Sequence, residues 1–126
     1  MFAGPQLAGN FVRVRNATRS NAELAHAVAV ADTSAKRRTG LLKHTSLPSG
    51  EGLWIVPCEG VHTWGMKFPI DVVFLSRKRR VVKTRRAMGR RRIAFCLWAH
   101  SVLELPAGTL EQTGTEKGDE LVFERY

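Results

Sequence analysis

Cysteine is scarce in this sequence: Cys58 and Cys96 are the only two among 126 residues. Small proteins that depend on disulfides carry many more cysteines, so that class is excluded, and two free thiols are expected in a reducing cytosol. Cys58 and His62 have a spacing found in zinc sites, but the second short-spaced pair of ligands is missing. We therefore predict no disulfide, no bound metal and no cofactor.

Long apolar runs are also absent, since no stretch approaches the roughly 20 residues that a membrane-spanning helix needs. The first ten residues lack the basic start and apolar stretch of a secretory signal, and they contain two glycines and a proline. We expect a cytoplasmic protein with a flexible leader over residues 1–10. Residues 11–126 are predicted to form one β-rich domain, because they have the usual length of a single domain.

The common catalytic motifs are missing as well. The sequence shows no Ser-His-Asp set, no paired catalytic carboxylates, no phosphate-binding loop and no dinucleotide fingerprint. Nucleophilic catalysis by Cys58 is conceivable, because the neighbouring His62 could lower the thiol pKa, but no third, orienting group is evident. A hydrolase or metal-assisted enzyme is therefore the least favoured function, and we lean towards a protein without catalytic activity.

The pattern of apolar residues predicts many short strands. Residues 11–15 alternate apolar and basic side chains, which predicts a strand. Residues 23–31 could form a helix or a strand, and a strand paired with the first is favoured. Further strands are predicted at residues 53–56, 61–66, 70–75, 80–84, 93–98, 102–105 and 121–123. A helix capped by Asp32, Thr33 or Ser34 is predicted over residues 33–42, and a second at about 109–113. This pattern indicates a mainly β fold, a closed or nearly closed small barrel with two short helices, with an α+β fold as the alternative.

Basic residues outnumber acidic ones by twenty to eleven, and ten of the twenty lie within residues 77–92. Clustered lysine and arginine favour polyanions such as nucleic acid or acidic membrane surfaces, without choosing among them. The alternative is a solvated basic face with no partner. If the run binds nucleic acid, it should ignore base sequence, since no base-reading motif is present. The candidate residues are Arg77, Lys78, Arg79, Arg80, Lys83, Arg85 and Arg86.

Three motifs occur in a characteristic order: RTGLL at 38–42 before Leu47-Pro48, VHTWGMKFPIDVVFL at 61–75, and VLELPAG at 102–108 before Gly118-Asp119. Over residues 22–124 the chain thereby resembles the small bacterial and archaeal proteins of domain-of-unknown-function family one-nine-two. The resemblance implies a compact β-rich fold and no established activity. Members commonly turn after the second motif with an Asp-Gly type of sequence, whereas this chain has Ser-Arg-Lys-Arg-Arg at 76–80.

Polar side chains within the second motif suggest a pocket. The two-residue period of a strand would place His62, Trp64 and Met66 on one face. Asp71 begins the most apolar strand, so it should be buried and paired with Lys67, His62 or backbone N–H groups. The leading prediction is a binding or accessory protein whose small polar pocket, formed by His62, Trp64, Lys67 and Asp71, takes an unknown small ligand. The alternative is that Asp71 is purely structural.

Overall fold

Nine strands and two short α-helices make up residues 11–126, the part of the chain that the structure, a computed structural model, describes. The predicted leader at residues 1–10 lies outside the described residues. The elements are β1 (Phe11–Asn16), β2 (Ala22–Ala31), α1 (Ser34–Thr39), β3 (Glu51–Ile55), β4 (Gly60–His62), β5 (Ile70–Leu75), β6 (Val81–Met88), β7 (Ile93–Phe95), β8 (Ser101–Pro106), α2 (Thr109–Thr113) and β9 (Leu121–Arg125).

Seven of these strands form one curled sheet in the order β6-β5-β8-β3-β2-β1-β9, while β4 and β7 form a separate antiparallel ribbon. The two ends of the sheet meet, because Val81 N donates to Asp119 O at 2.8 Å and Leu121 N donates to Arg79 O at 3.0 Å. These bonds occupy backbone groups that an open edge would leave unpaired. The predicted mainly β, nearly closed barrel is confirmed.

The strand β5 is the centre of the packing. All six of its residues are buried, and it pairs with β6 on one side and β8 on the other. Val73 and Leu75 pack inside the curl of the sheet, whereas Val72 and Phe74 face a second apolar cluster on its other side. Leu41, Met66 and Ala94 belong to this second cluster, so the segment after α1 and the ribbon cover the outer face of the sheet. A strand that is apolar on both faces therefore lies between two layers.

A polar cluster joins β1 to the loop before β9. The buried Asn16 amide donates to Asp119 Oδ2 at 2.9 Å and to Thr115 Oγ1 at 3.0 Å. Arg19 Nε donates to the same carboxylate at 2.9 Å. Burial alone would raise the pKa of the Asp119 carboxyl, but the hydrogen bonds from Arg19 and Asn16 hold it below its ordinary value.

The predicted strand over residues 61–66 is wrong beyond His62. Met66 N donates to Thr63 O at 3.0 Å, closing a turn in which Gly65 has a φ of +81°, a region that favours glycine. His62 and Trp64 are consequently exposed while Met66 is buried, so the three do not share a strand face.

Two other predicted elements are shorter than expected. The predicted helix over residues 33–42 reduces to α1, with Thr33 accepting a hydrogen bond from Lys36 N at 3.2 Å as its cap. The helix ends at Thr39, because the next residue, Gly40, has a positive φ of +48°. The predicted strand over 93–98 ends at Phe95, where the chain leaves the ribbon.

Candidate functional site

A cavity of about 350 Å³ lies between α1 with its following turn, the end of β3, the strand β4 and the middle of β8. Apolar side chains form part of its wall, among them Leu41, Ile55 and Met66. Its polar lining consists of Arg37, Arg38, Cys58, His62 and Glu104, together with the hydroxyl-bearing Ser34 and Thr39. Polar side chains thus make up about half of the wall, which suits a small polar ligand.

Glu104 is the most unusual side chain in this cavity. It lies in β8 between Leu53 of β3 and Val72 of β5, and only 5% of it is exposed. Among residues 11–126, no group forms a hydrogen bond or ion pair with its carboxylate. Burial raises the pKa of the Glu104 carboxyl to about 7, because the charged form loses its hydration. At neutral pH this carboxyl can therefore donate or accept a hydrogen bond towards a molecule in the cavity.

Cys58 contributes a thiol to the same cavity, and that thiol donates to the carbonyl of Gly60 at 3.1 Å. Burial raises the pKa of the Cys58 thiol; the nearby Glu104 charge raises it further and the Arg37 charge opposes the effect. The neutral thiol is thus favoured at neutral pH, whereas a nucleophilic cysteine needs a lowered pKa. The arrangement lends no support to Cys58 as a nucleophile activated by His62.

Arg37 places a positive charge at the cavity. Its guanidinium donates to the backbone carbonyl of Asp32 at 3.1 Å and to Ser34 Oγ at 3.4 Å. No carboxylate in the described part of the chain forms an ion pair with it. The neighbouring Arg38 is exposed. The cavity therefore combines a cationic side with a buried carboxyl on β8.

The predicted burial of Asp71 is confirmed, but its partners are all backbone groups. Oδ1 accepts from Ala87 N at 2.8 Å, and Oδ2 accepts from Gly108 N at 3.1 Å and Leu110 N at 2.9 Å. Ala87 has a positive φ of 47°, so one oxygen holds an irregular point in β6 while the other holds the start of α2. Neither Lys67 nor His62 is among these partners.

The predicted pocket residues do not all surround the cavity. His62 lines it, whereas Trp64, Lys67 and Asp71 do not. Trp64 lies next to His62, with ring centroids 6.1 Å apart, and Lys67 is exposed. Sequence reasoning missed Glu104, although a single carboxylate within the apolar stretch VLEL is the same signal that indicated Asp71.

Several cations of the basic run are already engaged. The Arg79 guanidinium lies 5.0 Å from the Trp54 ring centroid. Arg80 forms a 2.7 Å ion pair with Glu120. Lys83 Nζ donates to the Phe95 carbonyl at 2.8 Å. Each of these three side chains already contacts a distant segment of the chain, so they are less available to an external polyanion.

The remaining cations of the predicted set are more accessible. Arg77, Lys78 and Arg86 are exposed and Arg85 is partly exposed. None of the four forms an ion pair with a carboxylate of residues 11–126. Together with Arg90, Arg91 and Arg92, which are also exposed, they are the cations of the run that a polyanion could reach.

Potential metal ligands are dispersed: in the described part of the chain, no three His, Cys, Asp or Glu residues are close enough to hold a metal ion. Across residues 11–126, neither helix has the length and apolar character required to cross a membrane.

A family model described as "Uncharacterized ACR" matches residues 15–123, which is most of the chain. The chain belongs to domain-of-unknown-function family one-nine-two. A relative within this family, a UPF0127 protein of Thermococcus sibiricus, is 32% identical in an alignment of 102 residues that covers 77% of this chain. The match spans 66% of the relative's length.

Two solved structures share the fold. A protein of unknown function from Novosphingobium aromaticivorans superposes with a TM-score of 0.74 at 20% identity, covering 97% of this chain and 99% of that one. A protein of Sinorhizobium meliloti, named as a candidate transcription regulator, superposes with a TM-score of 0.76 at 22% identity. This superposition covers 90% of this chain and 92% of that one. The fold of family one-nine-two is thus shared across distant sequences.

Proposed function

We propose that this chain is a binding protein for a small polar organic molecule that occupies the cavity beside Glu104. The carboxyl of Glu104 carries the proposal, because it faces the cavity without a hydrogen-bond partner among residues 11–126, and polar groups in protein interiors are generally hydrogen-bonded to protein, water or a ligand. A ligand that exchanges a hydrogen bond with Glu104 would supply that partner.

The lining narrows the chemistry of the ligand. Arg37 and Arg38 favour an acceptor or an anionic group, while the carboxyl of Glu104 suits a hydroxyl or a carboxylate. Leu41, Ile55 and Met66 offer apolar contact to a short carbon skeleton. The volume of about 350 Å³ is at the lower end of the usual range for ligand pockets. These features favour a small hydroxylated or carboxylated molecule.

Binding is favoured over catalysis by the state of Cys58, whose raised pKa works against nucleophilic attack. In this proposal the protein acts in the cytoplasm as a binding or accessory protein, as the sequence predicts.

The test is a titration of labelled protein, followed by NMR, with glucose, glycerol, lactate and benzoate as separate probes. At least one probe should shift the amide signals of residues 55–56, 58–62 and 104 in a saturable manner. Glu104→Ala should weaken that binding at least tenfold, while Glu111→Ala, which removes an exposed glutamate of α2 outside the cavity lining, should leave it unchanged. No saturable shift with any probe, or equal affinity in a folded Glu104→Ala protein, would count against the proposal.

A second candidate function is polyanion binding by the basic run. It is supported by the accessible cations Arg77, Lys78, Arg85 and Arg86, and by the lack of any acidic residue between positions 72 and 103. Four phosphate contacts would lower the logarithm of affinity by roughly 3.6 for each tenfold rise in salt on duplex DNA. Replacing the four cations with serine should flatten this dependence. The control is a serine replacement of the exposed Lys36 and Lys43, which lie elsewhere in the chain.

A further inference from the structure

Large apolar side chains are clustered on β7 and in the loop after it. Ile93 is 61% exposed, Phe95 59%, Leu97 69% and Trp98 85%. These are four of the seven exposed large hydrophobic residues in the described part of the chain, and they lie within six consecutive positions. Isolated exposed apolar residues are ordinary, whereas a cluster indicates an interaction site. We call these four residues the apolar surface.

The alternation of side chains between the two faces of the β4–β7 ribbon explains why Ile93 and Phe95 are exposed. Val61 pairs with Ala94, and both pack against the core cluster beside the outer face of the sheet. Successive side chains in a strand point to opposite faces, so Ile93 and Phe95 point away from that core. Gly60, the cross-strand partner of Phe95, has no side chain to cover the ring. The ribbon therefore presents apolar side chains outward.

Hydrogen bonds fix the backbone that carries this surface. Lys83 Nζ donates to Phe95 O at 2.8 Å, and Cys96 N donates to Glu59 O at 2.8 Å. At the start of the ribbon, Thr63 N donates to Arg92 O at 2.9 Å, and Arg92 N donates to Thr63 Oγ1 at 2.8 Å. The apolar surface is thus held in place by the barrel.

Positive charge adjoins the apolar surface. Arg90, Arg91 and Arg92 immediately precede Ile93, all three are exposed, and none pairs with a carboxylate of residues 11–126. A second copy of the chain using the same surface would bring like charges together, since a two-fold interface is self-complementary. Charge complementarity therefore favours an anionic partner.

The apolar side chains discriminate between anionic partners. Single-stranded nucleic acid is held by aromatic rings that stack on bases, and Phe95 and Trp98 could each contact one base. The aliphatic Ile93 and Leu97, which are as exposed as Phe95, offer no such platform. Aliphatic and aromatic side chains beside arginines suit the boundary between lipid headgroups and acyl chains. We propose that the apolar surface docks onto an anionic lipid bilayer, with Arg90, Arg91 and Arg92 contacting lipid phosphates.

The test measures co-sedimentation of the full chain with vesicles of phosphatidylcholine alone or mixed with phosphatidylglycerol. We expect binding to the anionic vesicles only, weakening as salt rises, with a blue shift of tryptophan emission as Trp98 leaves water. Leu97→Ser with Trp98→Ser should reduce partitioning at least tenfold. Serine at Arg90, Arg91 and Arg92 should reduce it by roughly fivefold per arginine.

The control is Tyr126→Ser, which removes an exposed aromatic residue that follows β9 and should leave vesicle binding unchanged. Glu104→Ala should also bind vesicles normally, so failure of the cavity proposal and failure of this one are distinguishable. Three outcomes would overturn the lipid proposal: no binding to anionic vesicles, binding of oligothymidylate that the Leu97 and Trp98 replacements abolish, or a dimer in sedimentation that the same replacements dissociate.

Discussion

Glu104 should make the chain less stable as the pH rises. Its carboxyl has a pKa of about 7 in the folded chain, against an ordinary value of 4.5. The folded state therefore holds a proton that the unfolded state releases across this interval, and the free energy of unfolding falls with rising pH. The stability that the protonated Glu104 contributes is fully present below pH 4.5 and is lost as the pH rises through 7.

The size of this effect follows from the difference between the two pKa values. At 1.36 kcal/mol per unit, the loss amounts to about 3 kcal/mol, an order-of-magnitude figure. Glu104→Gln keeps the shape of the side chain and cannot ionise. The variant and the parent should match in stability near pH 4.5, while above pH 8 the variant should be more stable by about 3 kcal/mol.

Urea unfolding from pH 4.5 to 8.5 measures this difference. With an m-value of about 1–3 kcal/mol/M, the two midpoints should separate by about 1–3 M at the upper pH. Glu111→Gln, an exposed residue of α2, serves as the control and should follow the parent curve. If the Glu104→Gln and parent curves stay parallel over the whole range, the carboxyl is solvated and the reasoning from burial is refuted.

Three further predictions concern other groups. Asp71→Ala should lower the free energy of unfolding by about 1–3 kcal/mol, because three backbone N–H groups lose their acceptor. Its melting temperature should lie below that of the control Asp32→Ala, which removes an exposed carboxylate. The hydrogen bonds that Asp119 accepts outweigh its burial and lower its pKa, so the stability that it contributes is present above pH 4 and is lost as the pH falls. In urea unfolding, Asp119→Asn should have a lower free energy of unfolding than the parent at pH 7, and this difference should shrink towards pH 2. A difference that stays constant with pH would contradict the prediction. Elemental analysis of protein purified without chelator should find no stoichiometric metal, and thiol titration should find both Cys58 and Cys96 free; one bound zinc per chain would reverse this prediction.

Local patterns in the sequence determined most of the secondary structure. The alternation in residues 11–15, the apolar run of residues 70–75 and the cap at Thr33 each involve neighbours within a few positions, and the structure contains the corresponding elements. The burial of Asp71 was also predictable, because a carboxylate within an otherwise apolar strand needs hydrogen bonds. The three motifs identified the family.

Contacts between distant segments decided the rest. Glu104 looks equivalent to Asp71 in the sequence, but α2 and β6 bring three N–H groups to Asp71, whereas the cavity brings none to Glu104. The sequence does not distinguish the cations of the basic run from one another. In the structure, Arg79, Arg80 and Lys83 contact Trp54, Glu120 and Phe95, respectively. Partners twelve or more positions away leave no trace in a local pattern, because hydrogen bonding and desolvation depend on what the closed barrel places beside each group.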